Sequence, residues 1–408
     1  MTGEIRRAGT TRRTFVRSTV AWAITGSLAG CRSASDRSAY SVPLLGDVHY
    51  DRPPIDAFHS EFRLQHEADG MFASYRDEFD SFSSMWGTNG RSAALVAASG
   101  KVRRPDAAFA LQLGDLIEGD CESSAAHARM LSDALALMKR TYGDIPFLTV
   151  AGNHDVRKGA HRQGEFENFR RDICAWHSRE LARPIDDLTF SFWNGPDQWI
   201  IADYNRPNFK VVETLLSESR NARYTVFCTH GAVLTNVSRN PRCWFFLGRP
   251  QYSIATGRKL SKEELESEIP VWNDARRRVR KMLAERNAIV LSGHSHLLEL
   301  RDWYGDGGRI TEFVMNSVTR TVKMRDIPGT PVVIGDKPSD FGRCRVKPSA
   351  KPNAAVDSLY AEYERGMRRY YTADAAGHAE LLFSDDGVRA NYYGLDSTTP
   401  TASFAIRG

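Results

Sequence analysis

Histidines, aspartates and an asparagine recur beside glycines in five short stretches of this sequence. In order they are Gly46-Asp47-Val48-His49, Gly114-Asp115-Leu116-Ile117-Glu118, Gly152-Asn153-His154-Asp155, Thr229-His230-Gly231 and Gly293-His294-Ser295-His296. Five of the eleven histidines fall in them, so imidazole and carboxylate are concentrated together. That mixture suits borderline divalent metals such as zinc, iron or manganese. The adjoining glycines let the backbone turn tightly beside a ligand. In Asp47-Val48-His49 and His294-Ser295-His296, alternate residues on an extended strand end point the same way, so each pair can face one metal cluster. Singly, a Gly-Asp or a Thr-His marks an ordinary turn or cap. The ordered set of five is what points to metal chemistry.

Each stretch follows an apolar run: Val42–Leu45, Phe109–Leu113, Phe147–Val150, Tyr224–Cys228 and Ile289–Leu291. Short apolar runs alternating with longer amphipathic stretches predict an α/β domain. Ligand sites in such sheets gather just beyond the carboxyl ends of the strands, so five polar loops can meet at one place. Thr189–Trp193, Asn194-Gly195 and Gln198–Ala202 read as a hairpin, because Asn-Gly favours the tight primed turn. Glu380–Phe383 and Val388–Tyr393 around Ser384-Asp385-Asp386-Gly387 read as a second. Apolar and aromatic residues from Val356 to Tyr371 have helical spacing. Segments 51–104 and 324–355 lack clear periodicity and read as insertions or long loops.

The order of the five stretches resembles the calcineurin-like metallophosphoesterase family, whose pattern is Asp-x-His, Gly-Asp, Gly-Asn-His, His and Gly-His-x-His. The resemblance runs from about Val42 to Asn316. It implies a four-layer α/β/β/α sandwich of two mixed β-sheets flanked by helices, with the family domain at 41–323 and a C-terminal extension at 324–408 packing on it. It also implies two divalent metal ions: Asp47, His49 and His296 on the first, Asn153, His230 and His294 on the second, and Asp115 bridging both. Two metals about 3.5–4 Å apart can clamp a phosphate and activate a bridging water as hydroxide. His154 is then the acid–base or phosphate-contacting residue, oriented by a carboxylate from Glu118 or Asp155. The substrate class that the resemblance implies is a small phosphomonoester or diester. Departures narrow the subclass. No Asp-Arg-Gly follows Asp115, as it does in the protein phosphatases, and Glu118 stands where purple acid phosphatases carry a tyrosine ligand. The reading from a different class is a non-catalytic binding scaffold on the same fold; such relatives usually lose ligands, and here all are retained.

The 408 residues, 41% hydrophobic and 26% charged, have an ordinary globular balance. Residues 1–30 hold five arginines and one glutamate, so of the net +5 only +1 belongs to the rest. The body therefore has no electrostatic footprint for nucleic acid. Thr11-Arg12-Arg13-Thr14-Phe15-Val16-Arg17 resembles a twin-arginine export signal, and Leu28-Ala29-Gly30-Cys31 a lipobox, so residues 1–31 read as a signal peptide. The expected location is periplasmic or at the cell surface, with Cys31 as a lipid anchor and residues 32–40 as a tether. The other five cysteines form no Cys-x-x-Cys pair, which argues against a zinc ribbon.

Overall fold

The computed structural model describes residues 38–50, 88–119, 123–157, 164–234, 258–316, 333–334, 358, 361–363, 365–373, 376–394 and 397–408. The five apolar runs form β1 (Tyr40–Leu45), β2 (Ala110–Gln112), β3 (Phe147–Thr149), β6 (Thr225–Thr229) and β7 (Ile289–Ser292). Both expected hairpins form as well: β4 (Phe190–Asn194) with β5 (Asp197–Ala202), and β12 (Gly377–Ser384) with β13 (Gly387–Gly394). The remaining strands are β8 (Leu298–Gly305), β9 (Gly308–Val314), β10 (Val333–Ile334), β11 (Met367–Ala373) and β14 (Ala402–Arg407).

These strands make two mixed sheets, ordered β14-β13-β12-β1-β2-β3 and β10-β11-β8-β9-β7-β6-β5-β4. Within each sheet the strands that carry the polar stretches run parallel to one another: β1, β2 and β3 in one sheet, β6 and β7 in the other. Period-two alternation explains why the runs are almost wholly apolar. Val226 and Cys228 face one core while Phe227 faces another; Ile289 and Leu291 face the first while Val290 joins Phe227. The shared core lies between the sheets and takes Val42, Leu44, Leu111, Trp199 and Ile201 from both.

Helices cover each outer face, which gives four layers. On the six-stranded sheet, α1 (Thr88–Val102), α2 (Ser124–Tyr142) and α3 (Phe166–Glu180) bury Leu95, Val96, Met130, Leu131, Met138 and Ile173. On the eight-stranded sheet, α4 (Phe209–Glu218) and α5 (Lys262–Glu285) bury Val212, Trp272, Val279 and Leu283. Side-chain caps start three of the helices: Ser123 on α2, Asn208 on α4, and a Ser261–Glu264 capping box on α5. The sheets are also pinned by polar groups. Tyr40 on β1 donates its hydroxyl to Asp197 of β5 at 2.8 Å, and Arg223 pairs with the same carboxylate.

Two expectations need correction. Residues 88–102 are a helix rather than loop; its Ala- and Ser-rich sequence has no strong apolar stripe to reveal it. Residues 367–371 lie in β11 rather than in a helix, because Tyr370 and Tyr371 find strand partners in Arg301 and Leu300. The strands of residues 367–407 are woven into both sheets; β12 pairs directly with β1, Tyr40 against Phe383 and Leu44 against Ala379. Residues 1–37, 51–87 and most of 324–355 lie outside the described residues. No helix among the described residues is long and apolar enough to cross a membrane.

His177 on α3 makes one energetic consequence testable. Its ring is buried and Nε2 accepts the Thr149 backbone N–H at 3.2 Å, and burial pushes its pKa down to about 3. The folded protein thus refuses a proton that the unfolded chain accepts below about pH 6.5, so stability falls as pH drops through that window. By about pH 4.5 the loss from this group is on the order of 2–3 kcal/mol. His177→Gln keeps an acceptor for Thr149 but does not titrate. Urea unfolding should show its stability relative to the parent rising by that amount between about pH 7 and 4.5; a constant difference would refute the assignment.

Candidate metal centre

All five polar stretches begin where a parallel strand ends. Asp47 and His49 follow β1, Asp115 and Glu118 follow β2, and Asn153, His154 and Asp155 follow β3. From the other sheet, His230 follows β6, and His294 and His296 follow β7. The site therefore straddles the seam at the carboxyl ends of both sheets. Tight turns bring the side chains inward: His49, Asp115, His294 and His296 have φ of 45°, 53°, 66° and 54°. Such left-handed backbone is rare outside glycine and costs on the order of 1–3 kcal/mol per residue. Glycines allow the loops to close on one another. A Cβ on Gly152 would lie 2.1 Å from the Asp115 nitrogen, and one on Gly293 would lie 2.4 Å from Asp47 Oδ1.

Around Asp115 the ligand-type atoms form two groups, Asp47–His49–His296 and His230–His294, each set lying with Asp115 within 4.8 Å. In the first, His296 Nε2 is 3.1 Å from Asp47 Oδ2 and 3.4 Å from His49 Nε2. In the second, His230 Nε2 is 3.1 Å from both His294 Nδ1 and Asn153 Oδ1. Asp115 Oδ2 lies between the groups, 3.1 Å from His230 Nε2 and 3.8 Å from His49 Nε2. This oxygen is buried and has no hydrogen-bond partner. A buried carboxylate oxygen that accepts no hydrogen bond is costly unless a cation completes it. The donor set, four imidazoles, two carboxylates and an amide oxygen, fits a pair of divalent ions sharing Asp115.

Further contacts fix which nitrogens face inward. His49 Nδ1–H donates to Glu118 Oε2 at 2.8 Å and His230 Nδ1–H to the Leu113 carbonyl at 2.8 Å, so each Nε2 faces the cluster. Asp47 accepts the His294 backbone N–H at 3.0 Å. Burial opposes charging His49 and His230, yet Glu118 beside the first and Asp115 beside the second carry both up to about 9. Burial would raise Asp115, but His230, His154 and His49 hold its carboxyl well below the usual range. Burial, followed by the neighbouring His230, pushes His294 well below its ordinary value.

His154 sits beside both groups. Its backbone N–H donates to Asp115 Oδ1 at 2.7 Å, and its Nδ1 lies 2.9 Å from Glu118 Oε1. Burial, reinforced by Arg157, lowers its pKa. Of the two carboxylates expected to orient His154, Glu118 is the one whose side chain meets its ring. Asp155 is corrected: its oxygens accept the backbone N–H groups of Asp115, Ile117 and Gly152 at 2.9, 3.0 and 2.8 Å, so it shapes the loops instead. Burial, and then Asp115, raises its pKa to about 7.

Sequence patterns missed several supporting residues. Gln112, at the end of β2, donates to the Gly46 and Gly114 carbonyls. Asn205, just beyond β5, donates to the Gly152 carbonyl at 3.0 Å, and the Tyr204 ring packs against His230 and His294. Glu312 of β9 receives the Val233 and Leu234 N–H groups, the Ser292 hydroxyl and Arg301, whose guanidinium also holds Glu299. Residues just beyond a strand end were the available signal for Tyr204 and Asn205. Nothing local marks a buried Arg–Glu pair. The remaining described histidines, His127, His177 and His378, are core residues. His59, His66 and His161 lie outside the described residues.

The sequence matches a family model, calcineurin-like phosphoesterase, over residues 41–298. No curated protein matches it. Among solved structures it is similar to that of PhoD, at 11% identity and TM-score 0.46, covering 91% of this chain and 69% of that one. It is also similar to a dimetal phosphatase from Danio rerio, at 12% identity and TM-score 0.45, covering 91% and 99%. A third similar structure is GAP50, the anchor in the inner membrane complex of Plasmodium, at 10% identity and TM-score 0.42, covering 91% and 89%.

Proposed function

This chain belongs to the calcineurin-like phosphoesterase family, and from that premise we propose that it is an exported two-metal hydrolase of small phosphate esters. The observation that carries the reading is Asp115 Oδ2, buried between two sets of imidazole nitrogens, 3.1 Å from His230 Nε2 and 3.8 Å from His49 Nε2. In this reading Asp47, His49 and His296 hold one divalent ion, Asn153, His230 and His294 the other, and Asp115 joins them. When bound, such a pair supplies electrophilic activation of the phosphate and of an attacking water. The chain's own residues do the rest. Glu118 orients His154, and His154 delivers a proton to the departing oxygen. His294 and His296 are the more exposed members of the cluster, with the His296 side chain 26% exposed, so substrate enters from that side. Export rests on residues 11–17 and 28–31, with Cys31 as the anchored first residue of the mature chain.

Protein taken from a cell envelope is expected to begin at Cys31 by mass spectrometry and to hydrolyse p-nitrophenyl phosphate or its bis ester. Stripping metal should abolish hydrolysis, and manganese, zinc or iron should restore it. Hydrolysis that survives thorough chelation would exclude the two-metal reading. Two bound metals without hydrolysis of any phosphate ester would support the scaffold reading instead.

A further inference from the structure

Glu118 touches two histidines of different kinds. Its Oε2 lies 2.8 Å from His49 Nδ1 and its Oε1 lies 2.9 Å from His154 Nδ1. The two rings stand edge to face, with centroids 4.5 Å apart, and Glu118 is 3% exposed. Its backbone is pinned as well, its N–H donating to the Tyr50 carbonyl at 2.9 Å.

We propose that Glu118 is a positioning residue shared between metal binding and proton transfer, one oxygen fixing His49 and the other fixing His154. This rests on the roles given to those two histidines above. The chemistry is specific to a carboxylate. An ionised carboxylate only accepts hydrogen bonds, so each Nδ1 facing it must carry a proton. For His49 that leaves the Nε2 lone pair pointing at the cluster, the form a metal ligand needs. For His154 it fixes the ring plane and leaves Nε2 as the atom that takes up and releases the mobile proton. Arg157 Nη1, a donor, stands 3.0 Å from His154 Nδ1, but two acceptors face the same nitrogen, Glu118 Oε1 and the Glu118 main-chain oxygen at 3.1 Å. Acceptors therefore prevail. Because one side chain serves both rings, occupancy of the first metal and orientation of His154 are thermodynamically coupled, and the coupling is reciprocal.

Glu118→Gln tests this. An amide offers one acceptor and one donor, so it can satisfy only one of the two Nδ1–H groups, and the other ring must turn or exchange its proton. Manganese affinity, read by competition with a fluorescent chelator and without substrate, should fall about 10–100-fold. At saturating manganese, kcat should remain at least about tenfold low while KM stays near the parent value, a split that general loosening of the site would not give. Glu118→Asp keeps the charge but is one methylene shorter, so it reaches one ring; it should lose at least about tenfold in affinity or in kcat, but not in both. Affinity and kcat both within about twofold of the parent in either variant would overturn the proposal. Thermal unfolding of the chelated proteins checks that they fold, and if the Gln variant does not, the Asp variant decides. Should the parent bind manganese but hydrolyse nothing, the hydrolase reading falls, while the affinity comparison still decides whether Glu118 holds His49.

Discussion

Asparagine in place of Asp115 is expected to leave a folded protein whose hydrolysis is reduced about a thousandfold or more. The substitution changes almost no volume. An asparagine Oδ1 can still accept the His154 backbone N–H that Asp115 Oδ1 accepts at 2.7 Å, so the loop after β3 keeps its anchor. What changes is the atom between the two groups. Oδ2, buried and without a hydrogen bond, becomes an N–H donor facing His230 Nε2 at 3.1 Å. A donor cannot share a lone pair with two cations, and the negative charge that holds them together is gone. Loss of such a bridging ligand removes several kcal/mol of transition-state stabilisation, and each 1.4 kcal/mol is a factor of about ten. Elemental analysis should show fewer than two metals per chain, alongside the fall in p-nitrophenyl phosphate turnover. Two full equivalents with turnover within about tenfold of the parent would remove Asp115 from the bridging position.

The residues gathered around Asp115 were legible in the sequence for a physical reason. A metal site needs particular side chains at strand ends, and strands buried on both faces announce themselves as short apolar runs. Val42–Leu45, Phe147–Val150 and Ile289–Leu291 therefore gave the strand, and the glycine after each gave the turn. Where packing does not depend on a strong stripe, the signal fades. Residues 88–102 bury Leu95 and Val96 amid alanines and serines, so no helical period stands out. Residues 367–371 carry spacing that suits either a helix or a strand, and only pairing with β8 decides between them. Partners chosen by register were out of reach altogether. Arg301 and Glu312 lie directly opposite on β8 and β9 and are both buried, against the usual exposure of charged residues. Their pairing is what leaves Glu312 in place to hold the Val233–Leu234 backbone after His230. The same limit applied to His154, whose carboxylate partner could be named from the sequence only as one of two.

That partner determines what replacing His154 should do. His154→Asn is expected to leave metal content unchanged, because Asn keeps the backbone bond to Asp115 and Glu118 still holds His49. The effect should fall on proton delivery and so depend on the departing group. An alkoxide cannot leave without a proton, whereas p-nitrophenolate can, and general acid catalysis is worth about 100–10,000-fold where it is needed. Turnover of an alkyl phosphate such as glycerol 2-phosphate should fall by that much, and turnover of p-nitrophenyl phosphate by about tenfold or less. If both substrates lose turnover equally, His154 contacts the phosphate instead of protonating the leaving oxygen; if metal content falls with either, His154 belongs among the ligands.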